Sequence, residues 1–296
     1  MKKYSLLFLA CALLVCCKKK VETVVVPNNV PTTDTSVSTL TIERFVIKTY
    51  VVLFARKPTE AELQNHLTTL TSNNIAQAAR INFIQQLQNT NEYKFMLYEF
   101  AKQKIIDPLG TLNDSGYQNS RLIQEIKDNI AAQNEPKLNT ELLGAMYKFR
   151  TMKTELLNNT ITWQEVNKRC CHSFYYYGDN LGSREFVLHT FEHLLQRIPT
   201  KQESDAGRAI FISSKNAVET PDVLFGVTGK SISDLLDIIV TSDNFYEAQV
   251  RYFYVRSFYK EPETLVLSKY TNVYTTSKDY QLLQRTILSS NEFLQN

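Results

Sequence analysis

Three segments of the chain follow one pattern of residues, and this internal repeat constrains the fold more than any other feature. Each copy contains an apolar stretch with helical spacing, a basic residue, a proline two positions later, and two further stretches with helical spacing. Each copy closes on Ser or Thr followed three residues later by an aromatic residue. Because the same helix-ending and helix-starting signals recur in order, the repeat predicts three units of short packed helices.

The prolines mark the end of the first helix in each unit. Pro58, Pro199 and Pro262 cannot continue a helix, since proline lacks the amide hydrogen and clashes with the carbonyl one turn back. In the first two units a threonine follows the proline, with a glutamate three residues later, and this spacing predicts a capping box on the second helix. The residues are Thr59 with Glu62 and Thr200 with Glu203.

The third unit departs from this pattern. Glu263 stands where the threonine is expected and no glutamate follows three residues on, so we expect a looser or displaced start to its second helix. The basic residue before the proline is Lys260 there, and Arg56 and Arg197 in the other units. A cation in this place can interact favourably with the negative end of the helix dipole, or it can pair with a carboxylate of the next helix.

The closing segments predict a second set of caps. They are Thr90-Asn91-Glu92-Tyr93, Ser242-Asp243-Asn244-Phe245 and Ser290-Asn291-Glu292-Phe293. We expect each hydroxyl to cap the following turn and each aromatic ring to pack back on its own unit. Units two and three are contiguous and are expected to share a core, whereas residues 99–183 separate them from unit one and carry further helical pattern.

The N-terminal segment predicts export. Lys2 and Lys3 precede an apolar run from Leu6 to Val15, whose length of about 10 residues suits a signal peptide and is too short to span a bilayer. The run ends in a cysteine pair and resembles the lipobox of bacterial lipoproteins. Cys17 is the favoured lipid acceptor, because the residue before the cleavage site is then Cys16, which is smaller than Val15. Cys16 is the alternative acceptor, and Val15 would then precede the cleavage site. The alternative to lipidation is an ordinary cleaved signal peptide or an uncleaved anchor.

Composition and patterning together predict the organisation of the chain. The predicted segments are a signal peptide over 1–16, a lipid anchor and flexible tether over 17–40, the first helical unit over 41–107, a helical insertion over 108–183, and units two and three over 184–296. Only 8 Gly and 8 Pro occur among 296 residues, which favours an all-α fold. The formal charge of +3 falls to +1 when Lys2 and Lys3 leave with the signal, so no nucleic-acid partner is predicted.

The repeat resembles helical domains of unknown function whose units read Leu-x-Arg-x-Pro-Thr-x-x-Glu and end in Leu-x-Ser-x-Glu-Phe. Such domains occur in exported proteins of Planctomycetes and Bacteroidetes, some fused to cytochrome c modules, and in surface-layer-type proteins. The resemblance covers roughly Thr41 to Tyr93 and Glu185 to Asn296. It implies an all-α envelope protein and no particular activity, because the shared residues are those that cap and pack helices.

Two clusters could carry chemistry. Cys170-Cys171-His172 lacks the two residues between thiols that covalent haem attachment requires, so the alternatives there are a vicinal disulfide, a buried thiol or a reactive thiol. His189 and His193 are spaced to share one helix face, but in HTFEH the glutamate precedes the second histidine, unlike the metalloprotease motif HExxH. We expect a satisfied histidine pair there, and we expect no catalytic residue, metal or cofactor.

The function predicted from these features is that of a lipid-anchored envelope lipoprotein. We expect it in the outer membrane, on the periplasmic face or on the surface face. It would act as a non-enzymatic helical scaffold or interaction subunit, with the membrane and an envelope protein as partners. The alternative is an envelope enzyme or electron-transfer accessory with a metal site near His189 and His193.

Overall fold

A computed structural model describes residues 37–106, 120–179, 182–215 and 221–295. The predicted signal peptide, both candidate acceptors Cys16 and Cys17, and the tether up to residue 36 lie outside the described residues. Within the described ranges the all-α prediction is confirmed, since fifteen helices and one short hairpin make up the regular structure. None of these helices is long and apolar enough to cross a membrane.

The helices follow one another with short connections. They are α1 Thr39–Phe54, α2 Glu60–Ser72, α3 Gln77–Gln88, α4 Asn91–Ile105, α5 Ser120–Ala131, α6 Pro136–Leu157, α7 Trp163–His172, α8 Phe174–Asp179, α9 Ser183–Leu195, α10 Lys201–Ser213, α11 Ile232–Val240, α12 Asp243–Phe258, α13 Thr264–Ser277, α14 Tyr280–Leu288 and α15 Asn291–Gln295. Unit one comprises α1–α3, unit two α9–α11, and unit three α12–α14. Helices α4, α12 and α15 begin at the closing segments.

The first helix of each unit ends in the same unusual backbone conformation. Ala55, Gln196 and Tyr259 occupy the C-cap with φ values of 55°, 54° and 57°, and each amide donates to the carbonyl four residues earlier. A left-handed residue at this position is usually glycine or asparagine, because other side chains are strained there. The proline three residues later prevents the helix from continuing, so the chain turns at the same point in all three units.

The closing segments cap the helices that follow them. The side-chain oxygens of Thr90, Ser242 and Ser290 accept hydrogen bonds from the amides of the aromatic residues three positions on, at 3.2, 3.2 and 3.1 Å. The aromatic rings, Tyr93, Phe245 and Phe293, are buried in the core. Each closing segment therefore fixes a helix start and anchors that start in the interior.

The described residues from Val37 to Gln295 form one compact unit with one contiguous hydrophobic core. Units one and three, which lie far apart in sequence, meet directly. The ring of Phe293 lies 5.9 Å from Phe45 of α1 and 5.8 Å from Phe258 of α12, measured between centroids. Gln88 of α3 donates to Gln284 of α14 at 3.2 Å. The C-terminal unit thus packs back on the N-terminal one.

Arg80 is the polar centre of this contact. The residue is 3% exposed, and its guanidinium donates to the carbonyls of Ile75 and Ser289 and to Asn291 Oδ1, at 2.8, 2.9 and 2.7 Å. Ile75 has a φ of 45°, which is strained for a β-branched residue. Arg80 therefore holds a strained turn of unit one against the closing segment of unit three.

The predicted insertion contributes to the interior. Helix α7 packs against α4, α6 and α11, and thereby joins the helix that follows unit one to unit two. Its first residue, Trp163, stacks on Tyr280 with centroids 4.9 Å apart and donates to Gln249 Oε1 at 3.1 Å. The central helices of the insertion are therefore part of the common core.

A β-hairpin, which the sequence pattern did not predict, separates α10 from α11. Strand β1 (Asp222–Leu224) pairs antiparallel with β2 (Val227–Gly229). Phe225 and Gly226 form the two-residue turn with φ values of 50° and 78°, as a type I′ turn requires. The ring of Phe225 packs against Phe191 at 6.0 Å, which compensates for placing a bulky residue in that conformation.

Candidate functional site

The residues singled out in the repeat meet at the connection between the first and second helices of each unit. We call these connections the repeat turns: residues 55–59 in unit one, 196–200 in unit two and 259–263 in unit three. Thr59 and Thr200 each accept a hydrogen bond from the amide three residues on, and Glu62 and Glu203 accept from the threonine amides at 2.7 Å. Glu263 caps α13 without a side-chain hydrogen bond.

Arg56 connects two helices of unit one with the helix that follows the unit. Its Nη1 and Nη2 donate to the carboxylate of Glu62 at 2.9 and 2.8 Å, and its Nε and Nη2 donate to Glu92 at 2.5 and 2.8 Å. The hydrogen bonds from Arg56 lower the pKa of Glu62 to about 2. The fork geometry of the guanidinium thus ties the end of α1 to the starts of α2 and α4.

Units two and three each keep one half of this arrangement. Arg197 donates to Glu203 at 2.8 and 2.6 Å and lowers the pKa of that carboxyl to about 2, while Asn244 occupies the place of Glu92. Lys260 pairs at 2.9 Å with Glu292, because Val266 occupies the place of Glu62. Pairing with the next helix therefore holds for Arg56 and Arg197, whereas Lys260 pairs with the closing segment.

The closing-segment carboxylates are site residues that the sequence reasoning missed. Glu92 and Glu292 occupy the third position of their closing segments, so the shared letters Asn-Glu were the available signal. Their pairing with the repeat turns could not be read from spacing, because Arg56 and Glu92 lie 36 residues apart and meet only when α1 and α4 pack together.

The second and third repeat turns also present apolar side chains to solvent. Among the described residues, the most exposed large hydrophobic side chains are Leu265, Tyr259 and Ile198, at 83%, 80% and 68%. Ile198 and Tyr259 lie within the turns, and Leu265 lies in the first helical turn of α13. Ion pairs at Arg197, Lys260 and Glu261 hold the backbone beneath them.

The two histidines of α9 have different partners. The side chain of His189 is 41% exposed, and its Nδ1 lies 3.0 Å from Glu192 Oε2. His193 is half-buried, with Nδ1 3.2 Å from the hydroxyl of Tyr176, and burial lowers its pKa. The rings stack with centroids 6.2 Å apart. Among the described residues, no group of three or more His, Cys, Asp or Glu side chains is placed to hold a metal ion.

Cys170 and Cys171 are free thiols buried in α7. Burial raises the pKa of both thiols, so each is a neutral thiol at neutral pH and a poor nucleophile. Of the alternatives open for this segment, the structure shows buried thiols and no vicinal disulfide. Successive positions of a helix direct their side chains about 100° apart, which disfavours a bond between them.

Lys104 of α4 is buried close to these thiols without a hydrogen-bond acceptor. Its Nζ lies 4.4 Å from the centre of the Tyr252 ring and has no hydrogen-bond partner in the described part of the chain. Burial lowers the pKa of Lys104 to about 8. The ammonium group contacts the aromatic ring and apolar side chains. A buried charge without a hydrogen-bond acceptor is expected to destabilise the fold.

His172 takes part in a structural node. Its Nε2 lies 3.2 Å from Glu141 Oε1, and Glu141 also accepts from Ser214 Oγ at 3.1 Å and from the amide of Ser233 at 2.6 Å. Glu141 therefore supplies a charge to the N-terminus of α11 from a distant helix. Serine, glutamate and histidine meet here, but the glutamate lies between the other two, so the order of a hydrolytic triad is not present.

Comparisons of the chain with known protein families, with curated proteins and with solved structures find no match. The resemblance drawn from the repeat motif stays a prediction.

Proposed function

We propose that this chain is a lipid-anchored lipoprotein of the cell envelope, in the outer membrane, whose helical body is a non-enzymatic interaction subunit of an envelope complex. The observation that supports the proposal is the pair of ion-paired repeat turns that display Ile198, Tyr259 and Leu265. Isolated exposed apolar residues are common on protein surfaces, but Ile198 and Tyr259 lie in the corresponding turns of two successive units, and Leu265 lies just after the second turn.

Rigid backbone makes such residues suited to binding. Arg197 ties its turn to Glu203 with two hydrogen bonds, and Lys260 ties its turn to Glu292. A partner that covers Ile198 or Tyr259 would remove apolar surface from water without first ordering the loop, which lowers the entropic cost of association. Tyrosine is also enriched among the residues that dominate interface energies.

Lipid attachment at Cys17 would keep the body at a membrane. Each buried methylene of an acyl chain contributes about 0.8 kcal/mol, so two or more chains hold a protein stably where one does not. An envelope partner would then meet the repeat turns at a high local concentration.

The test is recovery of the acylated protein from native membranes, followed by mass spectrometry of the N-terminal peptide and of co-purified proteins. We expect acyl chains on Cys17 and a stoichiometric membrane-protein partner. Ile198→Asp and Tyr259→Asp should each lose the partner, because a charge would be buried in the interface. Tyr147→Asp is the matched control, since Tyr147 is an exposed aromatic residue on α6, outside the repeat turns.

Retention of the partner by both turn variants would contradict the proposed surface. Absence of any partner, together with stoichiometric bound metal that is lost on replacing His189 and His193, would favour the enzyme alternative.

A further inference from the structure

A groove of about 410 Å³ opens at the beginning of α1. It is lined by Thr41, Arg44, Ile47, Lys48, Leu294 and Gln295. The first four residues share one face of α1, and the last two come from α15, which packs on α1. The groove therefore depends on the same contact between units one and three that closes the fold.

Its chemistry combines cations with aliphatic surface. Arg44 is exposed and has no ion pair with any described residue, although Glu43 is its neighbour on the helix. Lys48 donates to the carbonyl of Phe293 at 3.0 Å and lies 4.4 Å from the centre of that ring, so its position is fixed. Ile47 and Leu294 supply the apolar lining, and Leu40, one helical turn before Arg44, is 53% exposed.

We propose that this groove binds the phosphate headgroup of an anionic phospholipid, in the membrane to which the chain is tethered. The inference rests on the proposed lipid anchoring, because the anchor supplies the membrane. Arg44 would meet the phosphate, Lys48 would add a second positive charge, and Leu40, Ile47 and Leu294 would meet the upper part of the acyl chains. Basic residues beside aliphatic ones are the composition of surfaces that lie at the boundary between headgroups and acyl chains.

The position of the groove along the chain supports this occupant. The residues that lead toward Cys17 join the helical body at Val37, and Thr41 of the groove follows four residues later. The roughly 20 residues from Cys17 to Val37 can reach at most about 70 Å when fully extended. An anchor at Cys17 therefore limits how far the groove can lie from the bilayer surface.

Hydrogen–deuterium exchange of the acylated full-length mature protein in vesicles tests the proposal. Vesicles of phosphatidylcholine alone are compared with vesicles that also contain phosphatidylglycerol. We expect the amides of residues 39–48 to exchange at least about fivefold more slowly in the anionic vesicles, the factor that corresponds to about 1 kcal/mol per cation near an anionic surface. Arg44→Glu should abolish this difference.

Lys57→Glu is the matched control, because Lys57 is an exposed cation of the first repeat turn, on another part of unit one. It should retain the slower exchange seen for the original protein. Higher salt should reduce the slowing of exchange in the original protein and in Lys57→Glu, since salt screens the attraction between the cations and the anionic headgroups.

Equal exchange in the two vesicle types, with acyl chains present on Cys17, would overturn the groove assignment and leave the anchor intact. Slowing by inorganic phosphate in phosphatidylcholine vesicles would overturn it in favour of a free anion. An N-terminal peptide without acyl chains would overturn the anchoring itself, and the groove assignment with it.

Discussion

Replacing Arg80 with methionine should destabilise the whole helical body, because this side chain joins its first and last units. Three hydrogen bonds of 2.7 to 2.9 Å would be lost. The carbonyls of Ile75 and Ser289 belong to buried residues, and each would be left without its donor at a cost of about 1–3 kcal/mol. The side-chain oxygen of Asn291, an exposed residue, can accept a hydrogen bond from water instead.

An opposing term reduces the net effect. Burial of a guanidinium without a carboxylate partner is itself unfavourable by several kcal/mol, and desolvation lowers the pKa of Arg80 accordingly. Methionine relieves that penalty while filling much of the space. We therefore expect a net loss of about 3 kcal/mol in the free energy of unfolding, with a Tm lower by about 6–12 °C for a domain of this size.

Urea denaturation followed by both circular dichroism and Trp163 fluorescence measures this loss. Coincident transitions by the two probes would also show that the body unfolds as one cooperative unit. Arg150→Met is the matched control, because Arg150 is exposed on α6; it should change stability by less than about 0.5 kcal/mol. If Arg80→Met were no worse than Arg150→Met, the contact between units one and three would not be a source of stability.

Three further predictions follow from the charged and thiol groups. The Arg197 hydrogen bonds lower the pKa of Glu203 from 4.5 to about 2 in the folded state, so their stabilisation is present above pH 4.5 and is lost as pH falls toward 2. The stability difference between the original protein and Arg197→Gln in urea titrations should therefore shrink over that interval, and a constant difference would contradict the pairing. Burial lowers the pKa of Lys104 from 10.5 to about 8, so a penalty on the order of 1–3 kcal/mol is present below pH 8 and disappears as pH rises toward 10.5. Lys104→Met should thus be more stable at neutral pH, with an advantage that fades by pH 10.5; a less stable variant at pH 7 would show that the cation has a partner. Cys170 and Cys171 should resist maleimide in the native protein and react after unfolding, as peptide mass spectrometry can show, whereas rapid native labelling of either thiol would contradict their burial.

Local signals in the sequence determined where helices begin and end. Pro58, Pro199 and Pro262 act on residues within one helical turn, and the capping boxes of Thr59 and Thr200 join residues three apart. Such short-range constraints hold in almost any tertiary setting, so helix boundaries and the all-α class could be predicted from the sequence. The hairpin was missed because the only glycine in its turn, Gly226, follows a phenylalanine, and the left-handed conformation of Phe225 depends on its packing against Phe191.

The choice of which units meet depends on tertiary packing. Arg80 binds the carbonyl of Ser289, 209 residues away, and Arg56 reaches Glu92 on a helix that packs beside its own. Sequence periodicity gives the apolar face of a helix but not the partner of that face, since many helices present similar stripes. Packing also leaves the buried Lys104 without a hydrogen-bond acceptor among the described residues and leaves Ile198 and Tyr259 exposed. The sequence does not show this, because burial depends on the other helices that surround a residue. Short-range signals thus encode the repeated helical unit, whereas the contacts among units determine where its charges, thiols and exposed apolar side chains lie.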